Sequence, residues 1–431
     1  MVKFKELHLK ELYDELVMGQ SPSSETYNDE KKGLPFVQGN ADMKDGVPKI
    51  RIYSTDPKKL SQKGDLLLSV RAPVGDLFKN NIGEIAIGRG LSAIRINDQY
   101  LNKYVHHYFS WDKRQFLKLE QGTTFTEIGK REVRNLKILL PENPNEQTAI
   151  ASLLSKVDEA IEATQNSIKA AEKLKKALMQ NLLTGKLKPD GTWRTEDEFY
   201  ETKIGLLPMD WKLLKTKDFC EKVTDGTHDT PKPNSSGFPL VTSKNLKSNG
   251  VDFDDCYLIR EQDYNEINKR SKVSQYDILF GMIGTVGNPQ IVTQNPVEFA
   301  IKNVGLFRMN GNKKLSFWLK YFLDSDLFRI YKQRQQAGTT QQFVSLGFLR
   351  KIPVPLPMKN DEINYFLIDE INEKIMIADN ELDSKQTKIQ TLQRLKKSLM
   401  QNLLTGKVRL PTDFIAQFES TVEVNHKIEI A

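Results

Sequence analysis

The chain has 431 residues, a formal net charge of +7 and only two cysteines, Cys220 and Cys256. That length suits more than one domain, each with its own core, and so few cysteines exclude a disulfide framework and fit a reduced, cytoplasmic setting. The opening stretch MVKFKELHLKELYDEL is too charged for a signal peptide, and no apolar run approaches bilayer length, so the expectation is a soluble intracellular protein with no membrane partner. The modest positive charge favours a polyanion such as nucleic acid, although alone it discriminates little.

Met1–Leu16 alternates charged and apolar residues and reads as a short helix. Short β-like runs follow at Leu34–Val37, Ile50–Tyr53, Asp65–Val70, Glu84–Ile87 and Ala93–Ile96, separated by Gly, Pro and Asn at turn spacing. Tyr104, Tyr108, Trp111 and Phe116 fall at helical spacing in Tyr100–Phe116, which predicts a helix packed on the sheet rather than an aromatic stacking surface. Leu136–Leu140 reads as a last strand, ended by Pro141.

A long helix is predicted over 145–184, with Asn145 as its N-cap and Gly185 as its stop. Leu154, Val157, Ile161, Thr164, Ile168, Ala171 and Leu178 form a heptad seam, blemished at Thr164 and Lys175. Lys188–Glu198 is a polar linker with a turn. A second globular pattern then runs to about residue 360, and a second helix over 361–405 stops at Gly406. Its seam (Ile371, Ile375, Ala378, Leu382, Ile389, Leu392, Leu399) is interrupted at Lys385 and Lys396, the places that Thr164 and Lys175 occupy in the first. Val422–Ile430 alternates in strand fashion and has no functional reading.

The organising feature is a repeat. Leu174–Lys186 (LKKALMQNLLTGK) and Leu395–Lys407 (LKKSLMQNLLTGK) differ at one position. Asp65/Asp277, Leu67/Leu279, Val74/Val286, Gly75/Gly287, Ala86-Ile87/Ala300-Ile301, Gly122-Thr123-Thr124/Gly338-Thr339-Thr340 and Leu140-Pro141/Leu356-Pro357 also correspond. Framework positions repeat while the residues between them diverge, as expected of one fold carrying two surfaces. An antiparallel helix pair would cover both seams and hold the globules apart about a pseudo-two-fold axis. Geometry alone fits a caliper for a long target and a structural scaffold about equally.

No catalytic constellation emerges. TGK at Thr184–Lys186 lacks the upstream glycine of a phosphate loop. Asn143-Pro144, Asn288-Pro289 and Asn295-Pro296 lack the second proline and aromatic of a base-clamping methyltransferase loop. Asp29-Glu30-Lys31 reads as a solvated charge run, His106-His107 as a helix surface, and the histidines and cysteines show no zinc spacing. The chain reads as non-catalytic, with no metal site of its own.

Nucleic-acid binding has more support, because residue types that contact phosphates and base edges gather in loops of both globules. In the first they are Gln38, Asn40, Lys44, Arg51, Arg71, Arg89, Thr123 and Thr124. In the second they are His228, Thr230, Lys232, Ser243, Lys244, Asn245, Lys302, Asn303, Thr339, Thr340, Gln341 and Gln342. Any one of these is most simply a solvated loop residue; as a set recurring at matching places they favour binding.

Four features resemble the specificity subunits of type I restriction–modification enzymes over nearly the whole chain. They are the duplicated LMQNLLTGK helix ends, GDLLLSVRAPVGD with AIGRGLSAIR (Ala86–Arg95), DGTHDTP (Asp225–Pro231), and IGLLPMDWK ahead of the second globule. The resemblance implies an α+β, pseudo-two-fold chain with two globular α/β-mixed target-recognition domains (1–144 and 188–360). Two conserved helical regions (145–187 and 361–410), forming an antiparallel coiled coil, separate them, and a tail (411–431) follows. It implies that each domain reads one half of a bipartite, asymmetric site in double-stranded DNA. The helices would set the spacer and dock two methyltransferase subunits, with motor–nuclease subunits joining for restriction. S-adenosylmethionine, ATP and Mg would be bound by those partners and no cofactor by this chain. The alternatives are a non-DNA coiled-coil scaffold and the specificity chain of a methyltransferase-only system. The tail after Leu410 is not explained by the resemblance.

Overall fold

The computed structural model describes residues 4–44, 46–121, 127–247, 250–284, 286–336 and 343–418. The chain divides into two compact units, residues 1–166 with 386–431, and residues 167–385. Each unit holds one globule and a portion of each of two long helices, Pro144–Leu182 and Tyr365–Leu403.

In the first unit the charged–apolar alternation at the N-terminus has the period of a strand, not of a helix. Phe4–His8 pairs antiparallel with Lys137–Pro141, and Glu15–Met18 with Leu91–Arg95, which corrects the predicted N-terminal helix. Pro141 ends the last strand as expected, as its final paired residue opposite Phe4. Leu66–Ser69, buried at all four positions, is flanked by Leu77–Lys79 and Leu91–Arg95 in a four-stranded sheet. A second, five-stranded sheet contains a parallel pair, Leu34–Val37 beside Ile85–Ile87. The aromatic segment forms two helices, Gln99–Trp111 and Arg114–Gln121, broken at Asp112. Tyr104, Tyr108 and Phe116 are core residues, as the helical spacing predicts.

The second unit repeats these pairings with a different sequence. Trp211–Lys215 pairs with Pro353–Lys359, so that Pro357 lies opposite Trp211 as Pro141 lies opposite Phe4. Ile278–Gly281 lies between Gly287–Ile291 and Val304–Arg308, and Phe238–Val241 runs parallel to Ala300–Ile301. Asp65 and Asp277 are both buried and do the same work: Asp65 Oδ2 accepts from the Gln62 amide (2.7 Å) and Asp277 Oδ2 from the Ser274 amide (2.8 Å). The expected turn in Lys188–Glu198 is held in place, because Arg194 donates to the Gly185 carbonyl (2.7 Å) and to Asp210.

The first long helix is capped two residues earlier than predicted. Asn143 Oδ1 accepts from the Asn145 amide (3.0 Å) and Pro144 takes the first helical position, where its missing N–H is not needed. Asn364 caps the second helix through the Leu367 amide (3.1 Å). Gly185 and Gly406 have φ of +67° and +69°, the left-handed stop expected of both. In the first unit Ile150, Ala151 and Leu154 share the core with Met400, Leu403 and Leu404, and Asp158 pairs with Lys396 (2.5 Å) while Glu146 pairs with Arg409. In the second unit Met179, Leu182 and Leu183 share the core with Ile368, Ile371 and Ile375, and Lys175 pairs with Asp379 (2.5 Å). Within each unit the helix portions therefore run antiparallel. Every apolar seam residue is buried or half-buried.

One prediction about the helix surface fails. His107 is 3% exposed and sits against the first long helix, with Nε2 3.3 Å from Ser155 Oγ and Nδ1 3.7 Å from Asp158. Tyr104, Val105, Tyr108 and Phe109 put that side of Gln99–Trp111 in the core, and His107 goes with them.

Candidate nucleic-acid interface

In the first unit the parallel strands Leu34–Val37 and Ile85–Ile87 end on the same side, and the chain turns sharply after each. Outside the carboxyl ends of parallel strands is where open sheets leave room for a ligand. Here a concavity of about 460 Å³ is lined by Gln38, Asn40, Arg51, Arg71 and Arg89. Five residues separated in sequence, each singled out by residue type, are thus brought to one place.

Asp42, which sequence reasoning missed, organises this site. It ends the 3-10 turn Asn40–Asp42; its Oδ2 accepts from the Gln38 amide (2.8 Å) and its Oδ1 from Arg51 Nε (3.1 Å). Asn40 Nδ2 donates to the Pro73 carbonyl and to Asp76 Oδ2, both at 3.1 Å, which ties the turn to the loop after Leu66–Ser69. Its Oδ1 is buried with no partner among the described residues. Arg71 is held by Glu127 through Nε (3.0 Å) and Nη2 (2.8 Å). Arg51 and Arg71 are thus each neutralised by a carboxylate. Arg89 is not: only its amide is engaged, donating to Ser21 Oγ (3.3 Å), and its exposed guanidinium has no partner among the described residues. The side chain of Lys44, and Thr123 and Thr124, lie outside the described residues.

The second unit has the same frame with other side chains. Lys302 N donates to the Val241 carbonyl as Gly88 N donates to that of Val37, and Asp252 N donates to the Asn245 carbonyl as Lys49 N donates to that of Asp42. Asn245 is therefore the counterpart of Asp42, a relationship visible in sequence only by aligning the two turns. His228 is held between Asp225 (Nε2 to Oδ2, 3.1 Å) and Asn303 (Nδ1 to Oδ1, 2.8 Å), and Asp225 also accepts from Arg270 (2.5 Å). Lys302 donates to Thr230 Oγ1. Lys244 pairs with Asp255 (3.4 Å) on the surface, and Lys232 is exposed. Thr339, Thr340, Gln341 and Gln342 lie outside the described residues.

Two members of the sequence-derived set are corrected. Asn245 is fully buried, its Oδ1 accepting from the Thr242 amide and hydroxyl and its Nδ2 donating to the Asp252 carbonyl. Ser243 is buried too, its Oγ donating to the Asn303 carbonyl and accepting from the Met282 amide. Both hold the loop together and present no free polar atom to a ligand. Among the described residues no cluster of His, Cys, Asp and Glu could hold a metal ion, and no helix is long and apolar enough to cross a membrane.

This mixed α/β architecture is that of solved specificity subunits. A crystal structure of the type I restriction–modification S subunit from M. genitalium matches with a TM-score of 0.60, covering 93% of this chain and 96% of that one at 16% identity. A chain from a structure described as the basis of complex assembly and conformational transition of the type I R-M system matches with a TM-score of 0.53, covering 94% and 98% at 14% identity. The family model described as type I restriction modification DNA specificity domain matches residues 1–173 and 208–397. The chain belongs to the family of type I restriction–modification specificity subunits. It is 24% identical over 380 residues to the type I restriction enzyme MjaVIII specificity subunit of Methanocaldococcus jannaschii, covering 85% of this chain and 84% of that protein. It is 40% identical over 181 residues to a protein of the same organism provisionally named the MjaX specificity subunit, covering 41% of this chain and 42% of that protein.

Proposed function

We propose that this chain is the DNA-reading, non-catalytic subunit of a type I restriction–modification complex, and that each unit reads one half of a bipartite, asymmetric site. The observation that carries this reading is the strand-end frame common to both units. It presents Gln38 and Arg89 over a concavity in one, and His228, Lys302 and Asn303 in the other. One frame with two sets of polar side chains suits two unlike half-sites. Lysines and arginines of these loops neutralise phosphates and set affinity, while base contacts set sequence.

The long helices act as an antiparallel coiled coil related by a pseudo-two-fold axis, with target-recognition domains at 1–144 and 188–360. They fix the spacer between half-sites and dock two methyltransferase subunits at equivalent surfaces. S-adenosylmethionine, ATP and Mg are bound by the methyltransferase and motor–nuclease partners. Methylome sequencing of cells carrying this chain and its methyltransferase tests the reading: a bipartite methylated motif is expected. Deleting one heptad from each helix is expected to change the spacer and leave both half-sites unaltered. No chain-dependent motif would favour a scaffold, and an unchanged spacer would remove the ruler.

A further inference from the structure

Of the described cations lining the concavity of the first unit, Arg89 alone combines a free head group with a fixed backbone. Its two neighbours are glycines pressed against the end of Leu34–Val37. A Cβ on Gly90 would come within 2.6 Å of the Gln38 carbonyl oxygen, and one on Gly88 within 2.9 Å of Gln38 Cα. Main-chain bonds lock the turn: Gly88 N to the Val37 carbonyl (2.8 Å), Gly90 N to that of Gln38 (3.1 Å), Leu91 N to that of Gly88 (3.0 Å) and Val70 N to that of Gly90 (3.0 Å). Gln38, on the other side of this contact, has its amide held by Asp42 and its exposed side chain without a partner among the described residues.

The two side chains thus rise from touching backbones at one rim. An arginine kept only for charge or packing would be expected to resemble Arg51 and Arg71, each clasped by a carboxylate. A guanidinium left free on an immobile turn can offer its two parallel N–H groups without breaking an ion pair or ordering the backbone, so that only the side-chain rotamers remain to be fixed. In a major groove that fork matches O6 and N7 of guanine, and a glutamine amide matches N6 and N7 of adenine.

Resting on the reading that the first unit contacts duplex DNA, we propose that Arg89 reads a guanine and Gln38 an adenine at a neighbouring position of the same half-site. Arg51 and Arg71 form the wall of the site and carry no base identity.

The test is the methylated motif written by the full chain with its methyltransferase, compared among wild type, Arg89→Ala, Arg89→Lys and Gln38→Ala. Both Arg89 variants are expected to make one guanine position of one half-site degenerate, at about a ten- to hundredfold loss of discrimination, leaving the other half-site intact. Lysine fails here because it keeps the charge and loses the fork. Gln38→Ala is expected to relax the adjacent adenine. Thermal stability should not change with Arg89→Ala, since the guanidinium holds nothing within the unit.

An unaltered motif in Arg89→Ala overturns the proposal. So does a uniform weakening of all sequences, rescued by lysine and accompanied by a salt slope shallower by about 0.9, because that is the signature of a phosphate contact. If the wild-type chain writes no motif at all, the DNA reading falls first and this assignment falls with it.

Discussion

Lys396 Nζ lies 2.5 Å from Asp158 Oδ1, joining the two long helices within the first unit. The same residue types at the repeat-equivalent positions, Lys175 and Asp379, make the same bond within the second. Lys175 and Lys396, which interrupt the apolar seams, are therefore interhelical ion-pair partners, placed where a slip of one helix along the other would break them. The double-mutant cycle Lys396→Met with Asp158→Asn is expected to give a coupling of about 0.5–1 kcal/mol. The coupling should shrink in high salt. Denaturant titration at two ionic strengths measures it.

Glu146 and Arg409 are a harsher case. The carboxylate is 1% exposed in the first turn of its helix and accepts from Arg409 Nε (2.5 Å), whose guanidinium also lies 5.3 Å from the Phe4 ring centroid. Arg409→Met leaves a buried charge unpaired and is expected to destabilise by about 3–5 kcal/mol. Adding Glu146→Gln should recover much of that loss. Melting curves of the single and double variants decide it. A double variant no more stable than the single would show that Arg409 acts through packing instead.

Acid should weaken the first unit. Burial, then the neighbouring His106, Lys396, Lys103 and Lys79, push the His107 imidazole down to about 3. The fold holds the neutral ring, so the unfolded chain binds the extra proton between about pH 6.5 and 3. Stability from this residue is complete above about pH 6.5 and is lost as pH falls toward 3. Each unit of depression corresponds to about 1.4 kcal/mol. His107→Asn is expected to flatten the melting temperature between pH 6.5 and 4 relative to wild type. A profile as steep as wild type would assign the acid sensitivity elsewhere, to His106 first.

Leu174 and Leu395 stand at equivalent places in the duplicated segments and are 53% and 45% exposed. Under the proposed reading, in which two copies of a methyltransferase dock on equivalent surfaces, this repeated pair supplies the positions to test. Leu174→Glu alone is expected to lower bound methyltransferase from two copies to one, and the double variant Leu174→Glu, Leu395→Glu to abolish binding. Mass measurement of the purified complex reads this directly. Two retained copies in the double variant would move the dock elsewhere on the helices.

The sequence by itself determined the repeat, the two long helices with their glycine stops, the buried seam and the family, because these are periodic or nearly identical stretches. The tertiary structure decided the rest. The N-terminal alternation became two strands only because partners at Lys137–Pro141 and Leu91–Arg95 were there to pair with it. His107 moved inside because Gln99–Trp111 packs against the first long helix. Residue type alone could not separate the buried Asn245 from the exposed Lys232, or Arg51 from Arg89. Whether a polar group is held by its own fold or left for a ligand depends on partners distant in the chain: Asp42 for Arg51, Glu127 for Arg71, Thr242 and Asp252 for Asn245, and none among the described residues for the Arg89 guanidinium.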